Sequence, residues 1–330
     1  MLFACKSKSA DRRGGIALET MHSLKAIKQR HRGSVAVIGN FDGVHLGHRA
    51  VISEASKIAY KLRVPLSVVT FAIHPRQLFQ RNLDPFRLST SRSRAKHLEN
   101  LGVDTLFELP FDKEFAQLSP EKFIDEILLK YLGLRHIVIG YDFNFGYRRR
   151  GTPDMLIQCA THKGFGVTKV AAVQKNNGAV YSSSRIRQCL VEGDPREAAS
   201  LLGAPWEITA TVEEGDRRGR LIGFPTANLR LGDLLRPRLG VYAVTAMLTS
   251  GKESGIWMPG VANIGIRPTV NDKGVILEVY LFDKKIQLYS RDLRVGLVDF
   301  IRPEQKFISV DDLTKQINSD ASQARKILKQ

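Results

Sequence analysis

Two histidines three residues apart, His45 and His48, close the run Gly39-Asn-Phe-Asp-Gly-Val-His-Leu-Gly-His48. The apolar stretch Ser34-Val-Ala-Val-Ile38 precedes this run, and residues with helical apolar spacing follow it to Arg63. The pattern reads as strand, glycine-rich loop, helix start. Glycines let the backbone turn tightly and approach an anion. The free N–H groups of a helix's first turn favour phosphate. His45 and His48 share one face of that turn, where two imidazoles can donate hydrogen bonds to phosphate oxygens as negative charge builds. Paired histidines also serve as metal ligands or as satisfied core residues, and their spacing leaves those readings open.

Two further segments carry suitable chemistry. Tyr181-Ser-Ser-Ser-Arg-Ile-Arg187 puts Ser182, Ser183 and Ser184 before a helical run. These hydroxyls can cap the helix or hold a phosphate, and Arg187 can grip an anion bidentately. Gly140-Tyr-Asp-Phe-Asn-Phe-Gly146 follows the apolar run His136–Gly140. Ligands of open α/β sheets bind beyond such carboxyl ends, so Asp142 can meet a ribose, a base or Mg²⁺, or simply shape a turn. Arg148-Arg-Arg150 reads as a solvated loop.

A second constellation lies in the other half. Gly215-Asp-Arg-Arg-Gly-Arg-Leu-Ile-Gly-Phe-Pro-Thr-Ala-Asn228 holds Gly215, Gly219 and Gly223 ahead of Pro225, which fixes an extended backbone. Thr226 and Asn228 then point one way, and their oxygens suit Mg²⁺ held by nucleotide phosphates. In Val275-Ile-Leu-Glu-Val-Tyr-Leu281, Leu277, Val279 and Leu281 share one face, and Glu278 shares the other with Ile276 and Tyr280. A carboxylate on a mostly apolar strand invites a general-base role. A solvent-facing Glu278 is the plainer alternative.

The elements that position these residues change style along the chain. Strands are expected at 34–38, 66–71, 105–109 and 136–140, with helices at 48–63, 92–101 and 120–131. Strands separated by helices imply a parallel sheet covered on both faces. From Trp206 onward, strand-like runs at 206–212, 240–247, 255–264, 275–281 and 293–301 are separated by turn signals at 214–216 and 271–274. That spacing implies a small antiparallel barrel, closed by a polar amphipathic helix over 311–328. The expected organisation is an extension over 1–30, an α/β domain over 31–202 and a barrel domain over 203–330.

Composition bounds the partners. The 330 residues are 43% hydrophobic and 25% charged, a globular balance. No run reaches the ~18 apolar residues of a membrane span, so no membrane partner is expected. Cys5, Cys159 and Cys189 are too scattered for a disulfide framework or a CxxC zinc site and suit a reducing cytoplasm. Lys and Arg number 50 against 33 Asp and Glu, a net +17 that calls for an anionic partner. Basic residues interleaved with aromatics on a sheet face, the mark of an RNA reader, are not found, so small phosphorylated molecules are expected and nucleic acid is not. Residues 1–32 are basic with two acids, Asp11 and Glu19, a balance also found in transit peptides, yet they hold no apolar targeting core.

Seven motifs in order resemble the bacterial bifunctional riboflavin kinase/FAD synthetase family from about Val35 to Phe307. They are Gly39–His48, Thr70-Phe-Ala-Ile-His-Pro75, Gly140–Gly146, Ser182–Arg187, Gly223–Asn228, Asn263-Ile-Gly-Ile-Arg-Pro-Thr269 and Arg302-Pro-Glu-Gln-Lys-Phe307. The resemblance implies a Rossmann-like nucleotidylyltransferase domain and a six-stranded barrel with a terminal helix. It implies a cytoplasmic bacterial enzyme that phosphorylates riboflavin to FMN in the barrel and adenylylates FMN to FAD in the α/β domain, using ATP and Mg²⁺. His45, His48 and Arg187 would be catalytic in the α/β domain, with Gly39, Phe41, Asp42, Gly47 and Ser182 to Ser184 at its ATP. His74, Pro75, Asp142 and Asn144 would lie beside the flavin. In the barrel, Gly215, Gly219, Gly223, Thr226 and Asn228 would hold Mg-ATP, and Glu278 would be the base. Tyr280 stands where the family commonly has His, Ser290 where it has Gly, and Asn144 where it has a basic residue. The rival readings are a nucleic-acid binder or tRNA-acting enzyme, and a flavin-binding scaffold that has lost one activity.

Overall fold

Val35–Ile38 (β2) is buried along its whole length, as a strand covered on both faces must be. In the computed structural model, residues 17–80, 84–175, 178–214, 222–266, 274–283 and 286–329 are described. Gly215, Gly219 and most of the two turn signals lie outside the described residues. The described chain forms two units, one from residues up to 80 with 91–181, the other from 84–90 with 182–329.

In the first unit β2 is joined by β1 (Glu19–Met21), β3 (Leu66–Phe71), β4 (Thr105–Leu109), β5 (His136–Gly140) and β6 (Gly166–Val170). They form a parallel sheet in the order β1-β4-β3-β2-β5-β6. Its helices are α1 (Leu46–Leu62), α2 (Pro75–Phe79), α3 (Ser91–Asn100), α4 (Pro120–Lys122) and α5 (Pro153–Lys163). The helix expected over 120–131 is α-helical only in α4 and continues as a π-helix over Phe123–Tyr131. The strand period divides β2 between two cores: Val35 and Val37 meet Ile52, Ala55 and Ala59 of α1, and Ala36 and Ile38 meet Ile124 and Leu156. A parallel sheet wound this way presents the loops after β3, β2 and β5 side by side at its carboxyl edge.

The second unit holds α6 (Ser183–Glu192), α7 (Pro195–Leu202), β7 (Trp206–Thr211), β8 (Ala227–Arg230), β9 (Gly240–Leu248), β10 (Met258–Ile266), β11 (Val275–Leu281), β12 (Asp292–Arg302) and α8 (Val310–Leu328). The strands pair antiparallel in the order β7-β12-β9-β10-β11-β8. Glu213, just past β7, donates its N–H to the Asn228 carbonyl at 2.9 Å and nearly closes the barrel. Ala321 and Ala324 seat α8 on Val241, Ala243 and Val261, where their small side chains allow close approach. The Arg302 guanidinium at the end of β12 clamps Asp320 of α8 bidentately at 2.7–3.1 Å. Residues 84–90 belong to this unit through the Trp206 indole, which donates to the Leu88 carbonyl at 2.8 Å.

Candidate active sites

The loop from β2 to α1 is strained. Phe41 (φ 48) and Val44 (φ 42) hold left-handed backbone beside Gly43 (φ 83). Such conformations cost about 1–3 kcal/mol each in non-glycine residues and persist only where the surroundings over-determine them. Here Phe41, Asp42, Val44 and His45 are all buried. His45 is the N-cap of α1, and its Nδ1 accepts the His48 N–H at 3.3 Å. The cap therefore fixes the tautomer: with Nδ1 accepting, a neutral His45 carries its proton on Nε2. The two imidazoles stack at 3.6 Å between centroids and 19° between planes, and Phe41 lies 5.1 Å from the His48 ring. Gly47 permits this, since a Cβ there would come within 3.1 Å of the His45 ring and 3.3 Å of Tyr181 Cβ. Burial, and then the charge of His45, hold the His48 pKa well below its usual value of 6.5. His48 Nδ1 is buried without a hydrogen-bond partner.

His74 and Pro75 follow β3, and Asp142 and Asn144 follow β5, so these loops flank the histidine loop at the carboxyl edge. His74 caps α2, accepting the Arg76 N–H at 3.2 Å, with Pro75 as the first helical residue. Asp142 and Asn144 are exposed, and Asn144 donates to the Asp142 carbonyl at 2.9 Å. Ser182, Ser183, Ser184 and Arg187 belong to the second unit. Ser182 is the N-cap of α6 and accepts the Arg185 N–H at 3.2 Å. Arg187 Nε donates to the Phe86 carbonyl at 2.8 Å while its guanidinium stands 5.3 Å from the Phe86 ring centroid.

In the barrel, Thr226, Asn228 and Glu278 line one cavity of about 370 Å³. Antiparallel register sets Asn228 of β8 opposite Glu278 of β11, and Glu278 opposite Asn263 of β10. A carboxylate thus stands in a row between two amides. Leu277, Val279 and Leu281 fill the core behind β11, while Glu278 and Tyr280 face the cavity. Asn228 Oδ1 is buried without a partner, a costly state for an amide oxygen unless a ligand completes it. Arg302 and Asp320 also line the cavity. Sequence reasoning assigned no role to these two or to Asn263. Pairing the β10 and β11 runs as a hairpin would have found Asn263.

A parallel α/β nucleotide fold and a nearly closed barrel with a general-base candidate define a two-site transferase. The FAD synthetase family model matches residues 27–185, and the riboflavin kinase family model matches residues 202–328. The bifunctional riboflavin kinase/FMN adenylyltransferase of Escherichia coli K12 is 39% identical over 305 residues, covering 92% of this chain and 95% of that protein. The Pseudomonas fluorescens protein of the same description is 38% identical over 93% of this chain and 97% of its own. A solved Streptococcus pneumoniae structure, described as a macrolide-efflux protein, superposes with a TM-score of 0.82 at 32% identity, covering 94% of this chain and 99% of that one. Among the described residues no helix is long and apolar enough to cross a membrane. The chain belongs to the bifunctional riboflavin kinase/FMN adenylyltransferase family, with the FAD synthetase region preceding the riboflavin kinase region.

Proposed function

We propose that the barrel cavity makes FMN from riboflavin and ATP, and that the β2–α1 loop supports adenylylation of FMN to FAD. The observation that carries the first half is the row Asn228–Glu278–Asn263 along one cavity wall. A cavity of about 370 Å³ suits a small-molecule substrate. Glu278 takes the proton of the riboflavin 5′-hydroxyl as its oxygen bonds the γ-phosphorus of ATP and ADP departs. A ribityl hydroxyl is a poor nucleophile, and general-base help is worth about 10²–10⁴-fold. The buried Asn228 Oδ1, with Thr226 two residues before it, fits the hard oxygen donors that Mg²⁺ requires. When bound there with ATP, Mg²⁺ would offset phosphate charge.

Adenylyl transfer needs no base. The second pKa of a phosphate monoester is about 6, so the FMN phosphate is already mostly a dianion near neutrality. One of its oxygens bonds the α-phosphorus of ATP, and the bond to pyrophosphate breaks. His45, with Nε2–H directed away from its own cap, donates to phosphate oxygens, and the neutral His48 ring holds it in place by stacking. Gly39, Phe41, Asp42 and Gly47 shape the nucleotide loop. His74, Pro75, Asp142 and Asn144 supply the flanking walls for the flavin.

Incubation with riboflavin, ATP and Mg²⁺ followed by separation of the flavins tests both halves. FMN should appear first and FAD later. FMN that is supplied directly and never converted would sink the assignment of the β2–α1 loop, and riboflavin left unchanged would sink that of the barrel.

A further inference from the structure

Beneath the histidine loop lies a buried ion pair that the chemistry above does not use. Arg94 on α3 and Glu108 on β4 are both about 95% buried and bonded to each other. The Arg94 guanidinium also points at two backbone carbonyls at the sheet's carboxyl edge, Asn40 at 3.4 Å and Phe71 at 3.5 Å. Thr70, fully buried, donates to the same Asn40 carbonyl at 3.2 Å. On the outer side His22 stands 3.1 Å from the second Glu108 oxygen.

We propose that Arg94 is a positioning residue for adenylyl transfer: with Thr70, it pins the Asn40 carbonyl and so fixes the strained turn that aims His45 and His48. The proposal rests on the assignment of nucleotide chemistry to that turn. Three physical points carry it. First, the left-handed Phe41 and Val44 need an external clamp, and Asn40 immediately precedes Phe41 at the start of that turn. Second, a buried ion pair contributes little net stability compared with an apolar pair of similar volume, so packing alone does not call for one. Third, the guanidinium divides its donors among Glu108, the Ser91 hydroxyl at 3.5 Å and carbonyls from two strand ends, leaving Nε buried without a partner. That geometry ties β2 and β3 together where the loop begins. A lysine ammonium is a point charge and lacks the planar fork to reach Glu108 and both carbonyls together.

The test uses the full chain, whose riboflavin kinase activity serves as an internal control for folding. Arg94→Lys and the apolar double variant Arg94→Met/Glu108→Leu are compared with wild type and with His48→Ala. Both Arg94 variants should lower kcat for FMN-to-FAD conversion by about 10–100-fold, the scale of a misplacement near 1 Å. The KM for FMN should change less than about threefold, and FMN formation from riboflavin should stay within about twofold. A folded double variant that adenylylates within about twofold of wild type overturns the proposal. Equal loss of both activities assigns the pair to folding alone and also overturns it. If His48→Ala leaves FAD formation intact, the nucleotide-site reading itself has failed. If His48→Ala abolishes FAD formation while the Arg94 variants do not, only the positioning role has failed.

Discussion

His48 offers a way to read the site through stability. Its ring is stacked on His45 at 3.6 Å and its Nδ1 is buried without a partner. Burial first, and the neighbouring imidazole second, hold its pKa well below 6.5 in the folded chain. The unfolded chain takes up that proton near 6.5, so between 6.5 and the lower folded value it binds more protons than the folded chain. Stability from a neutral His48 is therefore complete above about pH 6.5 and is lost as pH falls. At about pH 5.5, one unit below the unfolded value, the linkage is on the order of 1 kcal/mol. His48→Gln removes the titration and keeps a polar side chain. Hydrogen exchange of peptides covering residues 35–62, corrected for intrinsic rates, is measured at about pH 7.5 and 5.5 for both chains. The wild type should lose more opening free energy than the variant, by on the order of 1 kcal/mol. Burial also lowers the His136 pKa, but that residue is common to both chains and cancels in the difference. Identical pH dependence in the two chains would refute the burial argument for His48.

Asn228→Leu should remove an unsatisfied buried oxygen and, on the role proposed above, a ligand of Mg-ATP. Thermal unfolding should be unchanged or raised by the equivalent of about 1 kcal/mol, with FMN formation down at least about 100-fold and FMN-to-FAD conversion intact; a clearly lowered melting temperature would show that Oδ1 is satisfied in the folded chain. Ser290 holds φ 59, a conformation that costs an L-residue about 1–2 kcal/mol. Ser290→Gly should stabilise the barrel by about 0.5–1 kcal/mol after glycine's greater unfolded-state entropy is subtracted, and an unchanged urea midpoint would show that the strain is absent.

Much of this architecture was legible because burial writes a period into the chain. The unbroken apolar runs of β2 and β3 mark a covered parallel sheet, and alternation in β11 puts Glu278 opposite the core face. What escaped lacks a period of its own. β1 is three residues long, and β6, Gly166–Val170, is a mostly half-buried edge strand carrying an exposed Lys169. α2 is five residues held by a His74 cap, and its sequence otherwise resembles a loop. Among site residues, Thr226, Asn228 and Glu278 could be grouped by strand spacing and family motifs. Asn263, Arg302 and Asp320 reach the cavity through cross-strand register and the docking of α8, neither of which is a local property. Arg94 was hidden for the same reason: its partners lie on β4 and on the loops after β2 and β3. Ser182 could be read either as a cap or as a phosphate ligand, and the hydrogen bond from the Arg185 N–H accounts for the first.

The central claim is that two chemistries reside in two separate sets of residues, one needing a base and one not. Glu278→Gln, given ATP and Mg²⁺ with riboflavin in one reaction and FMN in another, tests it most directly. Separation of the products should show riboflavin essentially unphosphorylated and FMN converted to FAD at the wild-type rate. FMN formed from riboflavin at the wild-type rate, or both conversions lost together, would contradict the account.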